Sequence, residues 1–244
     1  MKVYTERTYR NNISESELMT SFRVVVKETD LLVRADRGLA VETEESVIRY
    51  RRFIEEYIDR FPSFLYALTP FPDDQLAPPI VRDMIKAGRA TGVGPMAAVA
   101  GAIAEWVGRD LLKYSQSVIV ENGGDIFMKT HKPLTVGIFA GSSPLSDKMG
   151  IEVDPHGEPM AVCTSSGTVG HSLSMGEADA VTVVSRSGSL ADAAATAVGN
   201  LIVNKRDIDK GIDFTESVAG IIGVVIVIGN RLGLKGNLKL VHMG

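Results

Sequence analysis

Residues 187 to 200 read SGSLADAAATAVGN, a stretch typical of a helix in which almost every side chain is small. Asp192 and Thr196 are four residues apart in this stretch, and positions four apart lie on the same face of a helix. With Ser189 as N-cap, the helix dipole alone would favour Asp192 in the first turn. The alanines around them leave room for a flat or bulky ligand, or for another helix.

Capping explains Asp192 but does not explain Thr196, which follows one turn later on the same face. A carboxylate and a hydroxyl placed in this way can reach one hard cation, because Mg²⁺ and Ca²⁺ prefer oxygen ligands. The pair therefore predicts a site for Mg²⁺ or Ca²⁺ held by Asp192 and Thr196.

A second polar stretch, ENGGDI, spans residues 121 to 126 and follows the apolar run SVIV. Two adjacent glycines allow positive φ angles and let a ligand approach the backbone closely. The same residues are also typical of a tight hairpin turn between two strands. The sequence leaves both interpretations open.

The third stretch, CTSSGTVGHS, spans residues 163 to 172. Its hydroxyls and backbone N–H groups could form an anion-binding nest, and His171 could transfer a proton near neutral pH. A Ser/Thr turn with a surface histidine is the alternative. Cys163, at the end of the preceding strand, could be a nucleophile or sulfur carrier if its pKa is lowered, or simply a buried core residue.

Composition excludes several classes of protein. The chain has 244 residues with 26 basic and 30 acidic side chains, giving a net charge of −4, which does not favour a nucleic-acid partner. A single cysteine excludes an internal disulfide. The N-terminus lacks a secretory signal, and the most apolar run, residues 218 to 229, is too short to span a membrane. We expect a cytoplasmic protein.

Hydrophobic periodicity predicts an α+β fold, because helices fall between groups of strands that can pair locally. Residues 62 to 79 are rich in proline and predict an extended connector that packs on the surface, and residues 141 to 159 predict a polar loop. Helices are expected at 41–61, at 78–90, from about 95 and from 187. Strands are expected in a hairpin over 21–36, at 117–121, 125–129, 134–140, 160–164 and 180–185, and in a C-terminal hairpin of 221–228 with 236–242, closed by GNRLGLKG.

Taken together, these stretches resemble the ApbE-like proteins. The shared order is GGDI (123–126), TSSG (164–167), His171, VTVV (181–184) and ADAAAT (191–196). The resemblance is strongest over residues 90–200, and the wording CTSSGTVGHS and LADAAATA is closest to the shorter UPF0280 branch. ApbE proteins carry a later H-x-x-D-P segment, whereas His171 follows Gly167 by only four residues.

This resemblance implies one α+β domain over residues 1–244, related to the T-fold, with antiparallel sheets packed against helices. ApbE proteins are Mg²⁺-dependent transferases that cleave FAD, attach FMN to a Thr or Ser of a target protein and release AMP. By resemblance, Asp192 and Thr196 would hold the metal, and His171 would be catalytic. The residues implied to line the FAD or FMN site are Gly123, Gly124, Asp125, Thr164, Ser165, Ser166, Gly167 and Thr168.

Two other functions stay open at this point. UPF0280-like proteins are associated with sulfur assimilation in anaerobes on the way to homocysteine, which would give Cys163 a catalytic role and a sulfur-pathway protein as partner. Alternatively, the chain is a non-catalytic module that binds a nucleotide or a target protein. The apolar C-terminal hairpin could also serve in a homo-oligomer.

Overall fold

The computed structural model describes residues 19–167 and 176–243. Eleven strands lie within these ranges: β1 (Thr20–Val26), β2 (Thr29–Ala35), β3 (Val118–Asn122), β4 (Asp125–Lys129), β5 (Leu134–Gly137), β6 (Met149–Val153), β7 (Met160–Ser165), β8 (Ala180–Ser185), β9 (Ile221–Ile228), β10 (Arg231–Gly236) and β11 (Lys239–His242). The main sheet has the order β1-β2-β3-β4-β7-β8-β9-β10, and a smaller sheet has the order β11-β6-β5. Every neighbouring pair is antiparallel. The predicted α+β class is confirmed.

Six α-helices lie in the same ranges: α1 (Ala40–Arg60), α2 (Ser63–Tyr66), α3 (Pro79–Thr91), α4 (Val99–Leu111), α5 (Gly188–Leu201) and α6 (Ile208–Ser217). A 3-10 turn, Pro95–Ala98, leads into α4. Helix α1 buries Val47, Tyr50, Ile54 and Tyr57, which recur at the helical period that predicted it.

Alternation along the strands divides the core into layers. On β4, Phe127 packs among the helices, whereas Ile126 and Met128 pack against the smaller sheet. Successive side chains of a strand point to opposite faces, so the main sheet lies between a helical layer and the smaller sheet. The two faces of the main sheet are therefore both buried over much of their area.

Two sequence-based expectations for the strands are wrong. The partner of β9 in the C-terminal hairpin is Arg231–Gly236, part of the segment expected to be the turn, while Lys239–His242 pairs with β6 in the other sheet. Residues 141–159 contain β6, whose Ile151 and Val153 are buried. The strands β6 and β10 are short and are interrupted by glycine or a charged residue. Their apolar alternation is therefore too weak to predict a strand from the sequence.

The connector at 62–79 packs on the helical layer through Phe64 and Phe71, as expected, but begins with the short helix α2. Within the described residues no single helix is long and apolar enough to span a membrane. The helical segments Pro79–Thr91 and Pro95–Leu111 would pass such a test only as a pair, across a bend of 107°. The extent of one domain over residues 1–244 stays a prediction.

Candidate functional site

The GGDI segment forms a two-residue hairpin turn. Asn122 at the end of β3 pairs with Asp125 at the start of β4, and Gly123 between them has a φ of +70°, which glycine adopts without strain. The hairpin interpretation is thus confirmed. Because Asp125 shares a strand face with Phe127, its carboxylate points into the helical layer.

Asp125 lies directly across from Cys163 on the neighbouring strand β7. The Cys163 thiol is fully buried, hydrogen-bonds to Asp125 and lies 3.6 Å from the carbonyl oxygen of Gly188 in α5. Burial raises the pKa of this thiol well above its usual value, and the charges of Asp125 and Asp192 act in the same direction. A nucleophilic cysteine needs the opposite shift, so these are the properties of a buried thiol donor.

Asp192 serves a helix other than its own. Its Oδ2 accepts a hydrogen bond of 2.9 Å from the backbone N–H of Gly101, in the first turn of α4. The expected N-cap Ser189 is wrong: α5 begins one residue after Ser187, whose hydroxyl accepts from the N–H of Leu190. Asp192 therefore lies beyond the first turn of α5, and the dipole of α5 does not explain its position. Its carboxylate is held by free N–H groups at the start of α4.

The two carboxylates of Asp125 and Asp192 are close enough to affect one another. Burial raises the pKa of Asp192 to about 7, although hydrogen bonds from the backbone N–H groups of Gly101 and Ala100 oppose the rise. Burial also raises the pKa of Asp125 well above its usual value, and the charge of Asp192 adds to that rise. Such a pair is poorly tolerated as two anions unless a proton or a cation lies between them.

The chemistry of this pair suits a hard divalent cation. Asp125 is 8% exposed, and its Oδ1 has no hydrogen-bond partner among the described residues. Thr196 is half-buried one turn after Asp192, so a third oxygen donor lies on the same helix face. No group of three His, Cys, Asp or Glu side chains in residues 19–167 and 176–243 is arranged to hold a metal, so further ligands would have to be hydroxyls, carbonyls or phosphate oxygens.

Only some side chains of the TSSG segment lie on the same face of the sheet as these carboxylates. Ser165 shares the strand face of Cys163 and faces α5, and its buried hydroxyl has no partner among the described residues. Thr164 lies on the opposite face, where its hydroxyl is 2.9 Å from that of Thr182 on β8. The alternation of β7 therefore separates two side chains that the flavin-site prediction placed together.

The end of β7 gives less support to an anion-binding nest than the sequence suggested. The N–H of Gly167 donates to the carbonyl of Ala178 and is not available to an anion. Ser166 is half-buried. Thr168 and His171, the other predicted residues of this stretch, lie outside the described residues.

The alanines of α5 pack against protein on both sides of the helix. Ala193 and Ala197 belong to the cluster formed with α3 and α4, whereas Ala191, Ala194 and Ala195 pack on the sheet. Of the two expectations for this small-residue surface, the second is therefore correct: the alanines make room for another helix.

Glu105 is a residue of this region that the sequence analysis missed. It is 5% exposed, and its Oε2 accepts a 2.7 Å hydrogen bond from the N–H of Gly188 at the start of α5. Arg109 holds the other oxygen, Oε1, through Nε and Nη2. In the sequence Glu105 and Arg109 are an ordinary i,i+4 ion pair of a helix surface, and a burial this deep depends on the approach of α5.

A separate open cleft of about 510 Å³ lies at the other end of β3 and β4, next to Lys129. Its carboxylate, Asp36, already accepts hydrogen bonds from Ser115, Gln116 and Ser117. None of the predicted site residues that the structure describes lines this cleft. We therefore place the candidate site at the carboxylate pair.

Comparisons with known proteins agree with this architecture. A family model described as "AbpE bacteria" matches residues 10–219. The UPF0280 protein of Methanococcus aeolicus is 40% identical over 222 residues, covering 88% of this chain and 90% of the relative. A UPF0280 protein of Methanosarcina barkeri is 39% identical over 219 residues, covering 88% and 86%.

Solved structures with a similar fold include two bacterial flavin transferases. ApbE from Vibrio cholerae aligns with a TM-score of 0.57 at 14% identity, covering 93% of this chain and 97% of that one. The apo form of the flavinyl transferase ApbE from Pseudomonas stutzeri aligns with a TM-score of 0.54 at 17% identity, covering 89% and 93%. At these identities the likeness shows the fold.

Proposed function

Because this chain belongs to the UPF0280 family and shares the fold of the ApbE flavin transferases, we propose that it binds a flavin nucleotide, FAD or FMN, together with Mg²⁺. The observation that carries the proposal is the pair of Asp125, which is buried, and Asp192, which is half-buried. Among the described residues neither carboxylate forms an ion pair with a basic side chain. Ca²⁺ is the alternative cation, since both ions take oxygen ligands.

Asp125, Asp192 and Thr196 would hold the cation in this proposal. A divalent cation there would offset the negative charge of a pyrophosphate as its P–O bond breaks. Ser165 supports the same location, because its buried hydroxyl faces α5 and has no partner among the described residues. Oxygen atoms of a phosphate would satisfy such a donor.

For the reaction, we propose transfer of the FMN part of FAD to a hydroxyl of a target protein. The hydroxyl oxygen attacks the FMN phosphorus, the bond from that phosphorus to the bridging oxygen breaks, and AMP leaves. A proton must be removed from the hydroxyl, and His171 stays the predicted acceptor. The Cys163 sulfur route stays a prediction, and the burial and raised pKa of this thiol do not favour it.

The test mixes the purified protein with FAD and Mg²⁺ and measures FAD binding by fluorescence and AMP release by chromatography. We expect Mg²⁺-dependent binding that is lost in Asp192→Ala and in Asp125→Asn but retained in Asp110→Asn. Asp110 is a matched control, since it is a buried carboxylate of α4 whose partners are Ser46, Arg49, Tyr50 and Lys113.

The two measurements separate the remaining alternatives. Binding without AMP release, even with a hydroxyl acceptor peptide present, would contradict transfer and leave a nucleotide-binding module. Absence of binding at any Mg²⁺ concentration would contradict the proposal as a whole.

A further inference from the structure

The first turns of α4 and α5 meet at two glycines. A Cβ atom on Gly101 would lie 2.3 Å from the carbonyl oxygen of Gly188, and one on Gly188 would lie 2.4 Å from the carbonyl oxygen of Gly101. Real Cβ atoms do not approach backbone this closely, so the two helices touch through their main chains. Two positive helix ends are thereby brought together in a buried region.

Each of these helix ends is satisfied by a carboxylate from the other helix. Asp192 of α5 accepts from the N–H of Gly101 in α4, and Glu105 of α4 accepts from the N–H of Gly188 in α5. The hydroxyl of Ser187, the N-cap of α5, lies 3.4 Å from the same Oε2 of Glu105. The arrangement is reciprocal, because the carboxylate on each helix accepts a hydrogen bond from the N-terminus of the other helix. Both bonds therefore hold α4 and α5 together.

We propose that Glu105 is a positioning residue for the carboxylate pair. By holding the N-terminus of α5 against α4, it sets the place of Asp192 relative to Asp125 without touching a ligand itself. Arg109 orients Glu105 by donating two hydrogen bonds to its other oxygen, Oε1. The inference rests on the proposed function only for the cation that Asp192 would hold.

Amide hydrogen exchange tests the coupling without metal or flavin. In Glu105→Ala the N–H of Gly188 loses its acceptor, so its exchange becomes faster in any account. If Glu105 positions Asp192, the N–H of Gly101 also exchanges faster, although its own acceptor is intact. Asp192→Ala should accelerate exchange at Gly188 in return.

Binding of Mn²⁺, followed by calorimetry, is the second measurement. We expect Glu105→Ala to weaken Mn²⁺ binding by about tenfold, the lower end of the range for residues that orient metal ligands. Asp110→Asn should leave the affinity within about twofold, since Asp110 holds α1 rather than α5. Glu105→Gln keeps an oxygen acceptor without the charge, so it should weaken Mn²⁺ binding by less than about tenfold, and it replaces Glu105→Ala in both measurements if the alanine variant does not fold.

The outcomes are distinct. Faster exchange at Gly188 alone, with Gly101 unchanged, would overturn the inference, because Glu105 would then be only a local cap. Equal acceleration throughout the protein, including Tyr57 in α1, would overturn it as well, because the effect would be general destabilisation. If the wild type binds no Mn²⁺, the cation of the proposed function is refuted, while the exchange at Gly101 still decides the role of Glu105.

Discussion

We expect Asp192 to make the stability of this protein fall as pH rises, in the absence of a divalent cation. Its pKa is about 7 in the folded protein against the ordinary value of 3.8 for an aspartate in the unfolded chain, so the folded state binds the proton more tightly. The stabilisation by that proton is complete below pH 3.8 and is lost as pH rises through about 7. Since each pKa unit corresponds to about 1.4 kcal/mol, the loss amounts to about 4 kcal/mol.

This loss is a large part of the total stability of an ordinary domain, which is about 5–15 kcal/mol. The assay is urea unfolding in EDTA from about pH 4.5 to about pH 8, comparing wild type with Asp192→Asn. The difference between the two free energies of unfolding isolates Asp192 and its effect on Asp125. We expect this difference to shift by about 3 kcal/mol against the wild type across the range, because the part of the loss between pH 3.8 and about 4.5 lies below it.

Asp110→Asn is the control for the same titration. Hydrogen bonds from Lys113, Ser46 and Tyr50 outweigh burial and lower the pKa of Asp110, so its contribution is lost only as pH falls below the range tested. The difference in free energy of unfolding between wild type and Asp110→Asn should not change from about pH 4.5 to about pH 8. Saturating Mg²⁺ should reduce the decline seen for Asp192. A difference between wild type and Asp192→Asn that does not change with pH would refute the raised pKa.

Three further perturbations follow from the same contacts. Gly101→Ala should lower the free energy of unfolding by about 1–2 kcal/mol, because overpacking of about 1–3 kcal/mol exceeds a helix-propensity gain of at most about 1 kcal/mol. Gly211→Ala, whose Cβ would meet the ends of side chains rather than backbone, should cost less than Gly101→Ala; equal thermal melting of the two variants would contradict the backbone contact. Cys163 should react with a bulky thiol reagent only after unfolding, because it is fully buried, and rapid labelling of native protein would restore the sulfur hypothesis. Thr196→Val, which keeps the shape of the side chain, should weaken Mn²⁺ binding with little change in melting temperature, whereas unchanged binding would remove Thr196 from the metal site.

Several elements could be predicted from the sequence because their signals are local. The period of apolar residues in α1, the glycine pair between β3 and β4, and the small side chains of α5 each depend on a few neighbouring positions. The strands β6 and β10 could not be predicted in this way. Their apolar alternation is short, and these strands are stabilised by packing between the main sheet and the smaller sheet, which the sequence does not show.

The candidate site likewise contains residues that could be identified from the sequence and one that could not. Asp192 and Thr196 were identified as metal-site residues by type and spacing, since oxygen donors on one helix face are visible in the sequence. Asp125 was implied by the family resemblance, as a residue of the flavin site. Glu105 was not identified, because its role depends on the N–H of Gly188, more than eighty positions away. Thr164 and Ser165 were placed in one site, and the strand period assigns them to opposite faces.

The sequence alone determined that residues 187–200 form a helix of small side chains carrying one carboxylate and one hydroxyl on a shared face. Only the tertiary structure decided what that composition is for. The small residues let α5 contact α4 through backbone at Gly188 and pack between helices and sheet. Asp192 then serves the N-terminus of α4 and faces Asp125, because a carboxylate in a buried region must find donors or a counter-charge wherever the fold supplies them.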